Sequence, residues 1–265
     1  MRFTGLLLAD FDETLERVRE PLTAGHAAAI RRLTDHGILV AIVSGSSAAG
    51  LRRRICERFP TESASAIRIY ANYGGCCFDG NGSTEYDRSP EFAPFRAQVT
   101  GIVGDIGVIP RVEQRETQVT LDLKGVERLR PRVVAELRRR LPGVLQARPA
   151  GTKSIDITLA TITKRTAVEH LLAAFPELVR LPRRRVVIAG DSFGPGGADT
   201  DLLHEDLADA TVFCAGQSVP SAQGFAIVRA TTPGPDATHA FLDGHFGRVE
   251  GWHSPARQEY ASSNS

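Results

Sequence analysis

The sequence predicts an α/β protein whose core is a parallel sheet, interrupted by a smaller inserted α+β unit. Three observations lead there. The near-continuous apolar runs at Gly5–Ala9, Ile38–Val43 and 185–189 read as strands covered on both faces, as in parallel sheets. Helix-periodic segments alternate with such runs at the start of the chain and again after residue 163. Between these two regions the texture changes to short alternating strands and two helices, in the order helix-strand-strand twice over.

Each element follows from local pattern. After the first strand, Leu22, Ala27, Ile30 and Leu33 stand at helical spacing in 21–36, and Gly37 ends that helix. Ile38–Val43 is the second strand, 47–59 the second helix closed by Pro60, and Ile67–Ala71 the third strand. Segments 76–78 and 84–86 flank Asp79-Gly80-Asn81-Gly82, a hairpin signal. The inserted unit reads as a helix over 91–104, strands over 108–113 and 117–123, a helix over 126–141, and strands over 143–147 and Ser154–Leu159. The core resumes with a helix over 163–175, the strand at 185–189, a helix near 199–203, strands at 211–214 and 225–228, and a helix over 236–242. Beyond Gly247 the Ser, Gly, Arg and Asn content suits a loose tail. The expected division is a discontinuous core of 1–85 and 157–247, an inserted unit of 86–156, and a tail of 248–265.

Composition narrows the function class. At 265 residues, 42% apolar and 24% charged, the chain suits an ordinary soluble protein with a sizeable core. A net charge of +1 gives no reason to expect nucleic acid or an anionic membrane as partner. No apolar run approaches the roughly 20 residues of a membrane span, and the chain enters its first strand too early to leave room for a signal peptide. Cys56, Cys76, Cys77 and Cys214 lack metal-site spacing and read as reduced thiols of a cytoplasmic protein. The arginine runs 52–54, 138–140 and 183–185 read as solvated surface.

Ligands of open α/β sheets bind at the carboxyl ends of the strands, so the residues that end each strand carry the functional reading. Strand one ends in Asp10 and Asp12, spaced to return to one side of the chain. Two carboxylates leaving a buried strand are costly to desolvate, and a hard divalent cation resolves that cost. Strand two ends in Ser44-Gly45 just before a helix, where backbone N–H groups and the helix dipole favour an anion. Lys164 sits in the first turn of a helix, a poor place for a cation unless it faces a phosphate. The strand at 185–189 runs into Gly190-Asp191, followed by the glycine-rich 194–197 and Asp199, two further carboxylates for a metal.

Taken together these residues resemble the haloacid dehalogenase (HAD) superfamily of phosphohydrolases. Asp10-Phe11-Asp12-Glu13-Thr14 is similar to its Asp-x-Asp-x-Thr motif, Val43-Ser44-Gly45 to its second motif, Lys164 to its third, and Gly190-Asp191 with Asp199 to its fourth. The resemblance covers nearly the whole core and implies a Rossmann-like parallel-sheet HAD core. It implies that Asp10 is the nucleophile and Asp12 the general acid and base. Ser44, Gly45 and Lys164 would hold phosphate oxygens. Mg²⁺ would sit on Asp10, the backbone carbonyl of Asp12, Asp191 and Asp199.

Only 16–20 separate the first motif from its helix, so no cap fits there, whereas about 120 residues lie between Ser44 and Lys164. The inserted unit thus resembles the C2B-type α+β cap of the sugar-phosphatase branch. Ser154-Ile155-Asp156-Ile157 and Pro195-Gly196-Gly197-Ala198-Asp199 are locally similar to eukaryotic phosphomannomutase, which makes Ser154 and Asp156 candidates for sugar hydroxyls. Arg115, Glu116, Gln118 and Lys153 are candidates to face the cleft, and Arg111 with Arg115 is a thin substitute for the mutase's arginine-rich segment. Glu13 stands where the family usually has glycine. The expected function is Mg²⁺-dependent hydrolysis of a small phosphate ester, with a sugar phosphate as the favoured class, by a monomer or homodimer. A phosphohexomutase is the alternative reading, and a non-catalytic binding protein on the same fold a second one.

Overall fold

The computed structural model describes residues 3–59, 61–107, 109, 111–220 and 224–247, without the side chains of 61 and 62. The expected 248–265 tail lies outside the described residues. The chain runs β1 (Gly5–Ala9), α1 (Ala24–Asp35), β2 (Ile38–Val43), α2 (Ala48–Ile55), α3 (Thr61–Ala64), β3 (Ile67–Ala71), β4 (Cys76–Asp79) and β5 (Thr84–Asp87). It continues through α4 (Ser89–Phe92), α5 (Arg96–Ile106), β6 (Arg111–Gln114), β7 (Gln118–Asp122), α6 (Arg130–Arg140), β8 (Leu145–Ala150) and β9 (Ser154–Leu159). It closes with α7 (Lys164–Ala174), β10 (Val186–Ser192), β11 (Thr211–Ser218), β12 (Ala226–Arg229) and α8 (Pro235–Phe246).

An eight-stranded sheet has the order β12-β11-β10-β1-β2-β3-β4-β5. Its first six strands are parallel, and β4 and β5 are antiparallel. Strand alternation divides the apolar runs between two layers. Leu7, Val40, Ile69 and Val187 face Ile30 and Leu33 of α1, Leu51 of α2 and Leu242 of α8. Leu6, Leu8, Leu39 and Ile188 face Val168 and Leu171 of α7. The strand order reverses beside β1, which opens a crevice at the carboxyl ends of β1, β2 and β10.

The second sheet, β6-β7-β9-β8, is antiparallel throughout. Val119, Leu121, Ile155 and Ile157 pack one of its faces against Val99 and Val103 of α5 and Val133 and Leu137 of α6. The other face carries a polar row, Glu113, Thr120, Asp156 and Arg148, aligned strand to strand. β9 stays in this sheet as far as Leu159, so the boundary expected after Asp156 falls inside a strand. The two connections between the sheets are tied where Arg88 donates to the Thr161 hydroxyl at 3.0 Å and carbonyl at 3.3 Å.

The remaining differences from the sequence pattern have local causes. The helix expected over 91–104 breaks into α4, a 3-10 turn and α5 around Pro94, which cannot donate within a helix. The one expected over 126–141 begins as a 3-10 turn and becomes regular only at Arg130-Pro131. β10 continues past Ala189 to Ser192 beside β11, with a register shift between Gly190 and Ser192. Instead of a helix near 199–203 there is a 3-10 turn at Ala198–Leu202. All four cysteines are free, and no described helix is long and apolar enough to cross a membrane.

α8 also braces the loop after β1. His239 Nε2 lies 2.9 Å from the Leu15 carbonyl, and its ring stacks on His26 at 3.9 Å. Burial, and then the neighbouring His26, push the His239 pKa down from 6.5 to about 4. The unfolded chain therefore takes up this proton more readily than the folded one. The stabilising contribution is intact above pH 6.5 and is lost as pH falls toward 4. Urea midpoints should drop across that window, and His239→Gln should flatten the drop.

Candidate active site

The register of three strands sets the site. Ala9 is level with Ala189 of β10 and Ile42 of β2, so the residues that follow each strand emerge together. Asp10 extends the pairing by one bond, N to the Ala189 carbonyl at 2.9 Å, and the residue is buried at 6% exposure. Lys164 opens α7 behind the Thr163 N-cap, in a capping box with Thr166. Its Nζ donates to Asp10 Oδ1 at 2.5 Å and Asp199 Oδ1 at 2.7 Å. The second Asp199 oxygen accepts from the Ser192 N–H at 2.8 Å.

Carboxylate oxygens of Asp10, Asp191 and Asp199 lie within 4.8 Å of one another. With all three ionised and Lys164 charged, the cluster carries an excess of two negative charges, with Asp10 and Asp199 buried and Asp191 partly so. Burial raises the Asp10 pKa well above the carboxylate range; Lys164 works against this and Asp199 and Asp191 add to it. Burial and then the Asp199 charge push Asp191 up to about 7. Burial of Lys164 opposes its charge, but Asp10 and Asp199 outweigh it and raise the ammonium's pKa. An oxygen-only donor set with a twofold charge deficit fits a hard divalent cation such as Mg²⁺.

The close approach of Asp199 depends on Gly190, where an added Cβ would stand 2.5 Å from Asp199 Oδ2. Gly190→Ala should displace that carboxylate. We expect Mg²⁺ affinity, read by calorimetry, to fall about 10–100-fold, as when a ligand loses its support.

Asp12 has a different setting. Its Oδ1 accepts from Arg54 at 2.8 Å, and its Oδ2 from the Ser46 hydroxyl at 2.9 Å and more weakly from Ser44 at 3.4 Å. Its side chain is not a member of the three-carboxylate cluster. Arg54 is the correction to the reading of 52–54 as solvated surface. It is 9% exposed, stacks on Phe11 at 4.5 Å, and donates to the Glu20 and Arg17 carbonyls. It stands three residues after Leu51 on the inward stripe of α2, a signal the charge pattern masked. Glu13 adopts a left-handed φ of 63°, which explains the glycine usual in this motif. It is held by its N–H to the Glu16 carbonyl and by its carboxylate accepting from the Val18 N–H.

The loop after β2 presents Ser44, Gly45 and Ser46, and Ser47 caps α2 through the Gly50 N–H at 3.1 Å. The Gly45 carbonyl accepts from Arg115 at 3.1 Å and Gln118 at 3.2 Å, which places both at the crevice. Glu116 accepts from the Ala49 N–H at 3.3 Å and from the Asn72 amide at 3.0 Å. Asp156 is buried, with its oxygens taken by the Tyr73 hydroxyl at 2.8 Å and the Thr120 hydroxyl at 2.7 Å, so it orients those two groups. Ser154 lies two residues before Asp156 at the start of β9, away from the Gln118 end, and Lys153 sits at the β8–β9 turn, its carbonyl accepting from the Leu123 N–H. Sequence pattern gave no sign of Asn72 or Tyr73.

No protein-family model matches the chain, and no curated protein matches it in sequence. Solved structures do. The C-terminal domain of trehalose-6-phosphate phosphatase from C. albicans matches with a TM-score of 0.68 at 14% identity, over 92% of this chain and 93% of that one. Sucrose-phosphatase from Synechocystis, solved with sucrose and phosphate, matches with a TM-score of 0.62 at 14% identity, over 94% and 100%. A haloacid dehalogenase-like hydrolase from Bacteroides thetaiotaomicron matches with a TM-score of 0.61 at 12% identity, over 92% and 99%. With its mainly parallel sheet, its strand-end carboxylates and its second sheet over the crevice, the chain has the fold of the haloacid dehalogenase-type phosphatases.

Proposed function

We propose that the chain is a Mg²⁺-dependent phosphomonoester hydrolase acting on a small phosphorylated metabolite, with a sugar phosphate as the favoured class. The observation that carries this reading is the buried Asp10 carboxylate at the end of β1, set between Lys164 and two further carboxylates. Asp10 attacks phosphorus, forming a phosphoaspartyl group while the bond to the ester oxygen breaks. Asp12, entering the cycle protonated and released from its serine and arginine partners, gives that oxygen its proton. Asp12 then takes a proton from water as the water oxygen attacks phosphorus, releasing inorganic phosphate and the Asp10 carboxylate. The Ser44 hydroxyl, the Gly45 N–H and Lys164 hold the phosphoryl oxygens, where charge is spread in the transition state. Asp10, Asp191, Asp199 and the Asp12 carbonyl would hold Mg²⁺, which screens the repulsion between carboxylate and phosphate.

The four-stranded unit is read as a cap, with the 111–123 hairpin and Asp156 forming its inner face. The sugar-phosphate class rests on that polar face and on the names of two structural neighbours. Hydrolysis is favoured over intramolecular transfer because Arg111 is exposed on β6 while Arg115 is held by Gly45 and Glu113. The two arginines do not converge on a second phosphate. Free thiols fit a reducing compartment, and we place the protein in the cytoplasm. Phosphate release across sugar phosphates, nucleotides and phosphoglycerates should be seen with Mg²⁺ and lost with EDTA. Conversion of glucose or mannose 1-phosphate to the 6-phosphate without free phosphate would contradict the hydrolase.

A further inference from the structure

Asn72 and Tyr73 follow β3 in consecutive left-handed conformations, φ 50° and 61°, a geometry that asparagine tolerates but that a bulky tyrosine, and a run of two, adopts only when the surroundings impose it. What imposes it is a double set of contacts. Their backbones face the phosphate loop: the Asn72 N–H donates to the Ser46 carbonyl at 2.9 Å and the Tyr73 N–H to the Ser44 carbonyl at 2.8 Å. Their side chains face the second sheet: the Asn72 amide donates to Glu116 at 3.0 Å and the Tyr73 hydroxyl to Asp156 at 2.8 Å.

The Tyr73 ring is also a packing element of both parts. A Cβ at Gly45 would stand 2.5 Å from it, and the Arg148 guanidinium lies over it at 4.8 Å. From the opposite side the tip of the β6–β7 hairpin closes the circuit. Glu116 accepts from the first turn of α2, Arg115 and Gln118 donate to the Gly45 carbonyl, and Arg96 of α5 holds the Glu116 carbonyl. One core dipeptide therefore touches both the loop that would hold phosphate and the unit that would cover it.

We propose that Asn72-Tyr73 is a joint through which docking of the second sheet sets the conformation of the Ser44–Ser46 loop. It makes both residues positioning residues for the reaction, and it rests on the reading of 86–156 as a cap over a phosphate site. The docked second sheet pins both side chains of the joint, Asn72 through Glu116 of the hairpin and Tyr73 through Asp156 of β9, and the left-handed backbone then presents its N–H groups to the Ser44 and Ser46 carbonyls. When the second sheet leaves, nothing obliges the pair to keep that backbone, and the Ser44 and Ser46 carbonyls lose their two fixed donors.

Hydrogen exchange on the full chain tests this, with inorganic phosphate binding in Mg²⁺ measured alongside. Tyr73→Phe keeps the ring and removes the hydroxyl; Asn72→Asp keeps a residue tolerant of the left-handed region and places a carboxylate against Glu116. Each should raise exchange several-fold in 115–118 and in 44–50 together, and weaken phosphate binding. Faster exchange in the hairpin alone, or no change in either segment, overturns the joint. Should either variant exchange faster everywhere, Glu116→Gln addresses the same joint from the hairpin side, with the same paired result expected. None of these readouts needs turnover. A failed hydrolase reading would appear instead as absent phosphate release with the coupling intact.

Discussion

With Asp10 as the proposed nucleophile, Asp10→Asn should lower phosphate release by ~10⁴-fold or more in kcat, the scale seen when a covalent nucleophile is lost. An amide of the same shape fills the same space but offers no anionic oxygen to phosphorus. Stability should move the other way. The cluster of Asp10, Asp191 and Asp199 carries more negative charge than Lys164 cancels, and burial already raises the Asp10 pKa. Replacing one carboxylate by a neutral amide relieves that repulsion, and Lys164 keeps Asp199 at 2.7 Å. The metal-free variant should therefore unfold at a urea concentration no lower than the parent's. Loss of activity with loss of stability would instead mark Asp10 as a structural residue.

Lys164→Met should be the most destabilising single change in the site. It deletes the ammonium between Asp10 and Asp199 and leaves both buried without a cation. Breaking a buried pair in this way costs about 3–5 kcal/mol. The loss has a definite pH sign. Carboxylates whose pKa is raised in the folded state stabilise it at low pH, and the benefit disappears as pH rises through the raised value. For Asp191 that value is about 7 with Lys164 in place, and losing the ammonium, which holds it down, moves it higher. The variant should thus be close to the parent in acid and far below it at neutral pH in EDTA. Saturating Mg²⁺ should restore much of the difference, because bound cation stabilises the folded state in proportion to its excess over Kd. Activity should remain low even then if Lys164 holds the phosphoryl oxygens as proposed. A stability loss independent of pH and Mg²⁺ would show that Lys164 acts through packing.

The sequence carried the core because its signals are local. Gly5–Ala9, Ile38–Val43 and the run into Gly190 are apolar enough to be strands without tertiary help, and the parallel register that levels Ala9 with Ile42 and Ala189 brings Asp10, Ser44 and Asp191 out at the same end of the sheet. Lys164 was legible because a cation is out of place in a first helical turn. Arg54 was not, since its neighbours Arg52 and Arg53 make the stretch look like surface, and only burial beneath Phe11 distinguishes it. Glu13 could be read as a departure but not explained, because a left-handed φ leaves no mark in sequence when the residue is not glycine. Asn72 and Tyr73 were invisible for the same reason. Asp156 was legible as a site candidate, but alternation along β9 could not reveal that Tyr73 and Thr120 occupy its oxygens.

The most direct test is acid quenching of a single turnover, followed by peptide mass analysis in the parent and in Asp10→Asn. A transient gain of one phosphoryl group on the peptide that contains Asp10, absent from the variant, is the expected result. Release of phosphate with no phosphoryl group on any peptide, or with the group on a residue other than Asp10, would contradict the nucleophile at the end of β1.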